Sequence, residues 1–287
     1  MEEEVSRFFS ALKQRDDSAT TALVDSIENS SSALTDGGFL SDPAVSDPKP
    51  VNYRTVTLNL ANGPLCPFDG SDSRTAEQYR MLRTNILLHP ARPKIIAISS
   101  ASPGDGKTVT SINLAGTLSL KTGASVLLVD GDLRQCKIAA SLGIPVSPGL
   151  TEALRGKCSL EEAIVRVEEI PNLHVLPCGE TGGNPAELLD SMQWKRISDR
   201  LRASFSYVII DTTPVAAVAD FQLVQQVSDS VLLVLRPDHT KRSLFHKALE
   251  TVPKEKLLGT LLNAVPDWFL WGNRDNDYYY TQKDPEL

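Results

Sequence analysis

No apolar run in the 287-residue sequence approaches the ~20 residues that a helix needs to cross a lipid bilayer. Two of the longest runs, residues 207–210 and 231–235, are far shorter than that. The chain opens with three glutamates rather than a basic segment followed by an apolar stretch. We therefore expect neither a membrane-spanning helix nor a secretory signal.

Cysteine is scarce and scattered. The four cysteines are Cys66, Cys136, Cys158 and Cys178, and they form no CxxC pair and no Cys/His cluster. This pattern is typical of a protein in a reducing cytosol, so we expect neither structural disulfides nor a zinc site.

Excess positive charge is also missing. Residues 1–50 carry 10 acidic and 4 basic side chains, residues 266–287 carry 5 and 2, and the whole chain has a net charge of -7. The body between these acidic ends is close to neutral. Because no large cationic field exists, binding to nucleic acid or directly to an anionic membrane has little electrostatic support.

The chain divides into four parts by composition. Val5, Phe8, Phe9 and Leu12 have the spacing of one helical face, which predicts an amphipathic helix or tail over residues 1–29. Residues 30–50 are mostly Ser, Thr, Asp, Gly and Pro, and we interpret residues 30–73 as a flexible linker. Residues 74–265 form the predicted main domain, and residues 266–287 a C-terminal tail.

Short apolar runs alternate with helical periodicity in the main domain. Strands are predicted over residues 94–99, 125–130, 173–176, 207–211, 230–235 and 257–263. Helices are predicted over residues 107–120, 160–167, 192–203, 221–227 and 241–251. Because the strand runs are almost continuously apolar, both faces of each should be covered, as in a parallel sheet. The predicted fold is an α/β, doubly wound, mostly parallel sheet.

A glycine-rich loop carries the strongest chemical signal. Residues 95–108 read IIAISSASPGDGKT, a strand, a loop and the start of a helix. Gly104 and Gly106 let backbone N–H groups turn toward one point, and the helix N-terminus adds positive potential, so the loop should bind phosphate. Lys107 would reach the β- and γ-phosphates, and the Thr108 hydroxyl would bind Mg²⁺. Ala101 stands where the usual pattern begins with glycine.

Acidic residues follow two of the predicted strands. Asp130 and Asp132 come after one apolar run and Asp211 after another. Ligands of open α/β sheets bind at the carboxyl ends of strands, where these three side chains should lie. Lys107 and Mg²⁺ would offset their mutual repulsion. Each aspartate taken alone could instead cap a helix or a turn.

These segments together resemble the bacterial tyrosine kinases that regulate capsule and exopolysaccharide assembly, in the form of a P-loop NTPase with deviant Walker motifs. The matching segments are residues 101–108 (Walker A), 127–134 (Walker A′), 208–214 (Walker B), 77–83 (ExxRxxR), 184–189 and 259–263. The resemblance covers residues 74–265. Thr213 stands where that family's Walker B motif commonly has a proline.

The resemblance implies an ATP- and Mg²⁺-dependent, non-specific protein-tyrosine kinase that phosphorylates itself. The expected ATP-binding residues are Pro103, Gly104, Asp105, Gly106, Lys107, Thr108, Val109 and Asn263. The expected metal-binding residues are Thr108, Asp132 and Asp211. The expected catalytic residues are Lys107, Asp130, Asp132 and Asp211. Asp130 is the candidate to accept the tyrosine proton or orient the hydroxyl, although its role and that of Asp132 could be exchanged.

The resemblance also implies an assembly. Glu77, Arg80 and Arg83 match a motif associated with rings of subunits, and Asp220 matches a recurring acidic position of open role. Tyr278, Tyr279 and Tyr280 would be phosphorylated by a neighbouring subunit, unless the aromatic tail packs on the body. A separate transmembrane polysaccharide chain-length regulator would activate the chain and hold it at the inner face of the membrane, in the cytoplasm. The alternative is that the chain is a cleaved or split version of a fused protein. The N-terminal helix could dock on that partner.

Two other functions are compatible with these motifs. The first is an ATPase switch of the ParA/MinD type, but such proteins carry an extra lysine where this sequence has Ser102, and a membrane-positioning member would need a basic C-terminal helix. The second is a non-catalytic scaffold that responds to ATP and gates polysaccharide export by assembly alone. Replacing the three tail tyrosines by phenylalanine distinguishes the scaffold from the kinase.

Overall fold

A mixed sheet of eight strands forms the centre of the described part of the chain. The computed structural model describes residues 53–59, 74–121, 123–215 and 219–265, which all belong to one unit, Pro50–Leu287. The predicted helix at residues 1–29 and the tail at residues 266–287 lie outside the described residues. None of the helices within these four ranges combines the length and apolar character needed to cross a membrane.

The strand order in the sheet is β1-β4-β5-β3-β6-β2-β7-β8. The strands are β1 Arg54–Val56, β2 Ile95–Ser100, β3 Val126–Asp130, β4 Val165–Val167, β5 Leu173–Leu176, β6 Tyr207–Asp211, β7 Ser230–Leu235 and β8 Leu257–Leu262. Every neighbouring pair is parallel except β4 and β5, which are antiparallel. The predicted fold class, a mostly parallel α/β sheet, is confirmed.

Helices connect these strands. Within the described ranges they are α1 Arg74–Leu87, α2 Lys107–Ser119, α3 Lys137–Leu142, α4 Leu150–Leu154, α5 Leu160–Ala163, α6 Pro185–Leu189, α7 Met192–Ser204, α8 Asp220–Val227 and α9 Arg242–Thr251. All residues of β2, β3, β5 and β7 are buried. Because successive side chains point to opposite faces of a sheet, burial of every residue means that both faces are covered. The continuous apolar runs predicted this correctly.

Two predicted boundaries are wrong. The helix expected over residues 160–167 ends at Ala163, and Val165–Val167 form β4 beside β5. Val165 and Val167 are buried and Arg166 is exposed, which is the alternation of a strand with one side on the core. The predicted linker over residues 30–73 contains β1, which pairs with β4. The sheet therefore begins before the predicted domain boundary at residue 74.

The expectation that no disulfide forms is also wrong. The structure joins Cys136 to Cys178, whose Cα atoms are 5.5 Å apart. Cys136 lies in the segment after β3 and Cys178 directly follows β5. These strands are parallel neighbours, so the segments that follow them meet at one edge of the sheet. Cys158 is a free thiol, and Cys66 lies outside the described residues.

Candidate functional site

Three adjacent central strands, β3, β6 and β2, bring the candidate site together. Asp130 at the end of β3 is paired in register with Asp211 at the end of β6, and Asp211 is paired in turn with Ile98 of β2. The glycine-rich loop continues from β2 into α2. The strand order thus places the two acidic segments and the loop at one edge of the sheet.

The loop between β2 and α2 has the backbone that a phosphate-binding nest requires. Gly104 and Gly106 have φ values of 87° and 97°, a region that favours glycine, and they are the only residues of 101–108 with positive φ. Position 101, where the usual pattern has glycine and this chain has Ala101, therefore does not require glycine. A Cβ on Gly106 would lie 1.8 Å from Nδ2 of Asn263, which donates a 2.9 Å hydrogen bond to the carbonyl oxygen of Asp105. The expected nucleotide residue Asn263 thus contacts the loop.

Lys107 and Thr108 each contact one of the predicted aspartates. Lys107 Nζ forms a 2.9 Å ion pair with Asp132 Oδ2. The Thr108 hydroxyl donates a 2.6 Å hydrogen bond to Asp211 Oδ2, and Ser111, one helical turn further along α2, donates a weaker one of 3.3 Å to Asp211 Oδ1. The sequence predicted that four of these residues, Lys107, Thr108, Asp132 and Asp211, lie at one site. The structure adds Ser111.

Burial controls the charge of this cluster. Asp130 and Asp211 are completely buried. Burial, then the charge of Asp211, raises the pKa of Asp130 to about 8. Burial also raises the pKa of Asp211 to about 6, against the opposing effects of Lys107 and the Thr108 hydroxyl. Burial would lower the pKa of Lys107, but the carboxylates of Asp211 and Asp132 outweigh it and the pKa is raised. The cationic form of Lys107 is therefore favoured, and Asp130 holds its proton more tightly than an ordinary aspartate does.

The oxygen atoms at this edge of the sheet fit a metal that arrives with phosphates. Among the described residues, no three Asp, Glu, His or Cys side chains form a group able to hold a metal ion by themselves. However, Oδ1 of Asp130 and Oδ1 of Asp132 are buried without a hydrogen-bond partner. Mg²⁺ commonly takes one or two carboxylates and fills its remaining positions with water and substrate phosphates. The cluster suits that arrangement rather than an all-protein cage.

Comparison with known proteins shows the family to which the chain belongs. A family model described as an AAA domain matches residues 93–255. The tyrosine-protein kinase YwqD of Bacillus subtilis (strain 168) is 37% identical over 213 residues, which cover 71% of this chain and 89% of YwqD. The chain belongs to the bacterial tyrosine-kinase family. The resemblance of the sequence to the bacterial tyrosine kinases is confirmed.

Solved structures share this fold. The crystal structure of the chimerical protein CapA2B2 aligns with a TM-score of 0.68 and 30% identity, over 73% of this chain and 93% of that one. The septum site-determining protein MinD from Pyrococcus horikoshii, complexed with Mg-ADP, aligns with a TM-score of 0.51 and 27% identity, over 59% and 69% of the two chains. A nucleotide-binding P-loop fold that works with a divalent metal is therefore supported.

In this family member the side chain of Asp105 turns into the protein. Asp105 is completely buried, and its Oδ2 accepts a 2.7 Å hydrogen bond from the backbone N–H of Ser102. Its Oδ1 accepts a 2.8 Å bond from the hydroxyl of Thr240, in the β7–α9 loop. His239 Nε2 lies 2.9 Å from the carbonyl oxygen of Pro103. Asp105 can therefore contribute to an ATP site through its backbone, while its carboxylate fixes the loop.

Thr240 and His239 were missed in the sequence because only the strand order shows their position. They follow β7, which lies beside β2, so their loop reaches the phosphate loop from the neighbouring strand end. Polar residues shortly after a buried strand were the available signal.

Replacing Thr240 by valine should weaken ATP binding. The change removes the hydroxyl that donates to Oδ1 of the buried Asp105 and accepts from the backbone N–H of Arg236. Leaving a buried acceptor without its partner costs about 1–3 kcal/mol. Because the affected group lies in the phosphate loop, we expect a rise in Kd for Mg²⁺-ATP and a smaller change in kcat. Thr240→Ser should restore affinity. Thr251→Val is the matched control, since its hydroxyl donates to the carbonyl oxygen of Lys247 within α9. Calorimetric titration that gives equal Kd values for Thr240→Val and the wild type would show that Thr240 does not support ATP binding.

Asp220, whose role the sequence left open, forms an ion pair with the Walker A′ segment of this kinase. Arg134 donates from Nε to Asp220 Oδ2 at 2.7 Å and from Nη2 to Oδ1 at 3.0 Å. Asp220 is buried at the first residue of α8. Such a two-point contact fixes geometry as well as charge. Asp220 therefore holds the segment that carries Asp132 against α8.

The three residues of the ExxRxxR motif lie on α1. Arg80 Nη1 forms a 2.8 Å ion pair with Glu77, and both side chains are half exposed. Arg83 Nη1 donates a 3.3 Å hydrogen bond to the carbonyl oxygen of Thr117 in α2. The structure therefore brings Arg83 to the body of the domain and leaves Glu77 and Arg80 accessible. The remaining predicted residues, Tyr278, Tyr279 and Tyr280, lie outside the described residues.

Proposed function

We propose that this chain is an ATP-dependent protein-tyrosine autokinase that transfers the γ-phosphoryl group of ATP to Tyr278, Tyr279 and Tyr280. One observation carries the proposal: Lys107 and Thr108, at the start of α2, contact Asp132 and Asp211 from two other strand ends. The relatives named tyrosine-protein kinases support tyrosine as the type of acceptor.

Phosphoryl transfer depends on in-line positioning and on neutralising the charge of the phosphates. The backbone N–H groups around Gly104 and Gly106 would hold the phosphates, with Pro103 and Asp105 in the same loop and Val109 in the first turn of α2. Lys107 would turn from Asp132 to the β- and γ-phosphates. Asn263 would place the base beside the loop that it already contacts.

Mg²⁺ bound with ATP supplies the remaining positive charge. Thr108 and Asp132 would hold it, with Asp211 bound directly or through water. Burial raises the pKa of Asp211 because it disfavours the carboxylate anion, so a cation bound at this position would stabilise that anion. These residues therefore gain electrostatic stability when metal and nucleotide bind.

Asp130 would receive the proton of the tyrosine hydroxyl. Its pKa of about 8 makes its carboxylate a stronger base than an ordinary aspartate. A cation bound at Asp132 and Asp211 would favour loss of the proton that Asp130 holds in the free protein. Asp130 would then accept the tyrosine proton, or orient the hydroxyl for attack on the γ-phosphorus atom.

Membership of the same family also supports a proposal that the chain assembles. We propose that subunits associate through α1, because Glu77 and Arg80 are accessible and the neighbouring Met81 is 57% exposed. A tail that is phosphorylated by the next subunit suits a ring. A transmembrane chain-length regulator is the proposed activator, capsule or exopolysaccharide assembly the proposed process, and the inner face of the membrane the proposed location.

Phosphorylation of the tail can be tested directly. The variant Tyr278→Phe/Tyr279→Phe/Tyr280→Phe lacks the acceptor oxygens and should lose most of its phosphotyrosine after incubation with ATP and Mg²⁺, measured by phosphosite mass spectrometry. Tyr207→Phe, in β6, is the matched control and should be modified like the wild type. Undiminished phosphotyrosine in the triple variant would contradict the choice of acceptor.

Measuring ADP together with phosphotyrosine in the same incubation distinguishes the competing functions. An ATPase switch would produce ADP and inorganic phosphate without phosphotyrosine, and a scaffold would bind ATP without consuming it. The relatives named as tyrosine kinases and the lower TM-score of MinD favour the kinase over the switch.

A further inference from the structure

The Cys136–Cys178 disulfide lies next to the two aspartates of the Walker A′ segment, and the proposed phosphoryl transfer does not use it. The backbone N–H of Cys136 donates a 3.0 Å hydrogen bond to the carbonyl oxygen of Asp132. Two residues later, the N–H of Ile138 donates a 3.0 Å bond to Oδ2 of Asp130. A constraint on Cys136 is therefore a constraint on the segment that positions both carboxylates.

Cys178 provides a fixed anchor for that constraint. Its carbonyl oxygen accepts a 2.8 Å hydrogen bond from Thr151, and that of Pro177 accepts a 2.7 Å bond from Leu150, at the start of α4. The Cys178 side chain is completely buried. The bridge thus ties the segment after β3 to a hydrogen-bonded turn after β5.

This bond is chemically unusual for the proposed function. A kinase that consumes ATP works in a reducing compartment, where disulfides are rare and are usually transient or redox-sensing. We propose that Cys136 and Cys178 are a reversible thiol-oxidation site for low-molecular-weight disulfides such as oxidised glutathione. The second part of the proposal, which rests on the proposed function, is that the bridge weakens Mg²⁺-ATP binding at the adjacent aspartates.

The reaction is two successive thiol–disulfide exchanges. Cys136 is partly exposed and reacts first: its thiolate attacks the small disulfide, forms a mixed disulfide and releases one thiolate. The Cys178 thiolate then attacks the Cys136 sulfur and releases the second. The two electrons lost by the protein reduce the small disulfide, and the two protein thiol protons end on the two small thiols. The 5.5 Å separation of the two Cα atoms lies within the usual range for a bridge.

The direction of the effect follows from the ion pair in the bridged structure. Lys107 Nζ is 2.9 Å from Asp132, so ATP and metal can engage these groups only after the pair separates. The bridge restrains the backbone of residue 136 and, through its hydrogen bond, that of Asp132. Reduction removes this restraint. The reduced chain should therefore bind Mg²⁺-ATP more tightly than the oxidised chain.

The test uses the full chain, equilibrated with reduced or oxidised glutathione. Peptide mapping by mass spectrometry measures the bridge, and calorimetry measures the Kd for Mg²⁺-ATP in each state. We expect the Cys136–Cys178 peptide only after oxidation, a Kd raised about fivefold or more, and recovery with dithiothreitol. Cys136→Ser and Cys178→Ala should bind like the reduced wild type under both conditions. Cys158→Ser is the matched control and should respond like the wild type.

Two results would overturn the proposal: no Cys136–Cys178 peptide after oxidation, or a complete bridge with an unchanged Kd. In both cases, tight Mg²⁺-ATP binding by the reduced chain would leave the kinase function intact. If the reduced chain bound no nucleotide at all, the kinase function and the coupling would both fail, whereas the mapped bridge would still report the thiol chemistry.

Discussion

Lys107→Met should reduce the rate of tyrosine phosphorylation by about 10³-fold, the scale on which removal of one preorganised charge-stabilising group slows catalysis. Lys107 is the one side chain of the cluster whose cationic form is favoured by two neighbouring carboxylates. Methionine keeps most of the length of the side chain and removes the charge. Quantitative phosphotyrosine detection over time, with saturating ATP and Mg²⁺, measures the effect.

The stability of this variant needs its own control. The change leaves Asp132 buried without its ion-pair partner, which costs about 3–5 kcal/mol when the charge is uncompensated. Lys107→Met/Asp132→Asn removes both charges and should recover much of that stability while remaining inactive. Lys121→Met, at an exposed site after α2, should leave rate and stability unchanged. A folded Lys107→Met protein with wild-type phosphotyrosine would remove Lys107 from the site.

Asp130→Asn should make the nucleotide-free chain more stable and the enzyme slower. Asp130 is completely buried, and its pKa is raised from 3.8 to about 8. Between those two values the unfolded chain has released the proton and the folded chain still holds it, so wild-type stability falls as the pH rises. Asparagine does not titrate. The free energy of unfolding of Asp130→Asn should therefore exceed that of the wild type by an amount that grows from pH 5 to pH 8 and reaches at least about 1 kcal/mol.

Thermal unfolding at the two pH values and a phosphorylation assay measure the two effects of Asp130→Asn. Loss of a proton acceptor should slow the reaction by about 10²-fold or more. Asp132→Asn gives the opposite result for stability, since it leaves buried Lys107 without its partner and should destabilise the chain at both pH values. An Asp130→Asn variant that is less stable than the wild type at pH 8 would show that the Asp130 carboxylate is favoured in the fold.

The central part of the fold and site could be predicted because its signals are local. Continuous apolar runs identified the six longer strands. Asp130 and Asp211 end two of them and Asp132 follows one of them, which identified these three acidic residues. Parallel strands align their carboxyl ends, so these groups had to lie on one edge of the sheet. The glycine spacing then identified the phosphate loop without knowledge of the strand order.

The features that were missed depend on which strands are neighbours. β4 has only three residues, too few for the alternation of apolar and polar side chains along a strand to be recognised. Its residues were therefore predicted as the end of a helix. Thr240 reaches Asp105 because β7 lies beside β2, and Cys136 reaches Cys178 because β3 lies beside β5. The two cysteines are 42 positions apart, a spacing that carries no information about pairing. Strand order is a property of the whole sheet.

Calorimetric titration of the reduced chain with ATP, first in the presence of Mg²⁺ and then in the presence of EDTA, tests the central claim most directly. Lys107, Thr108, Asp132 and Asp211 should together bind one nucleotide per chain, with an affinity that falls sharply when the metal is removed, because the carboxylates would then face the phosphates without a cation between them. Absence of binding, or equal affinity with and without Mg²⁺, would contradict the account.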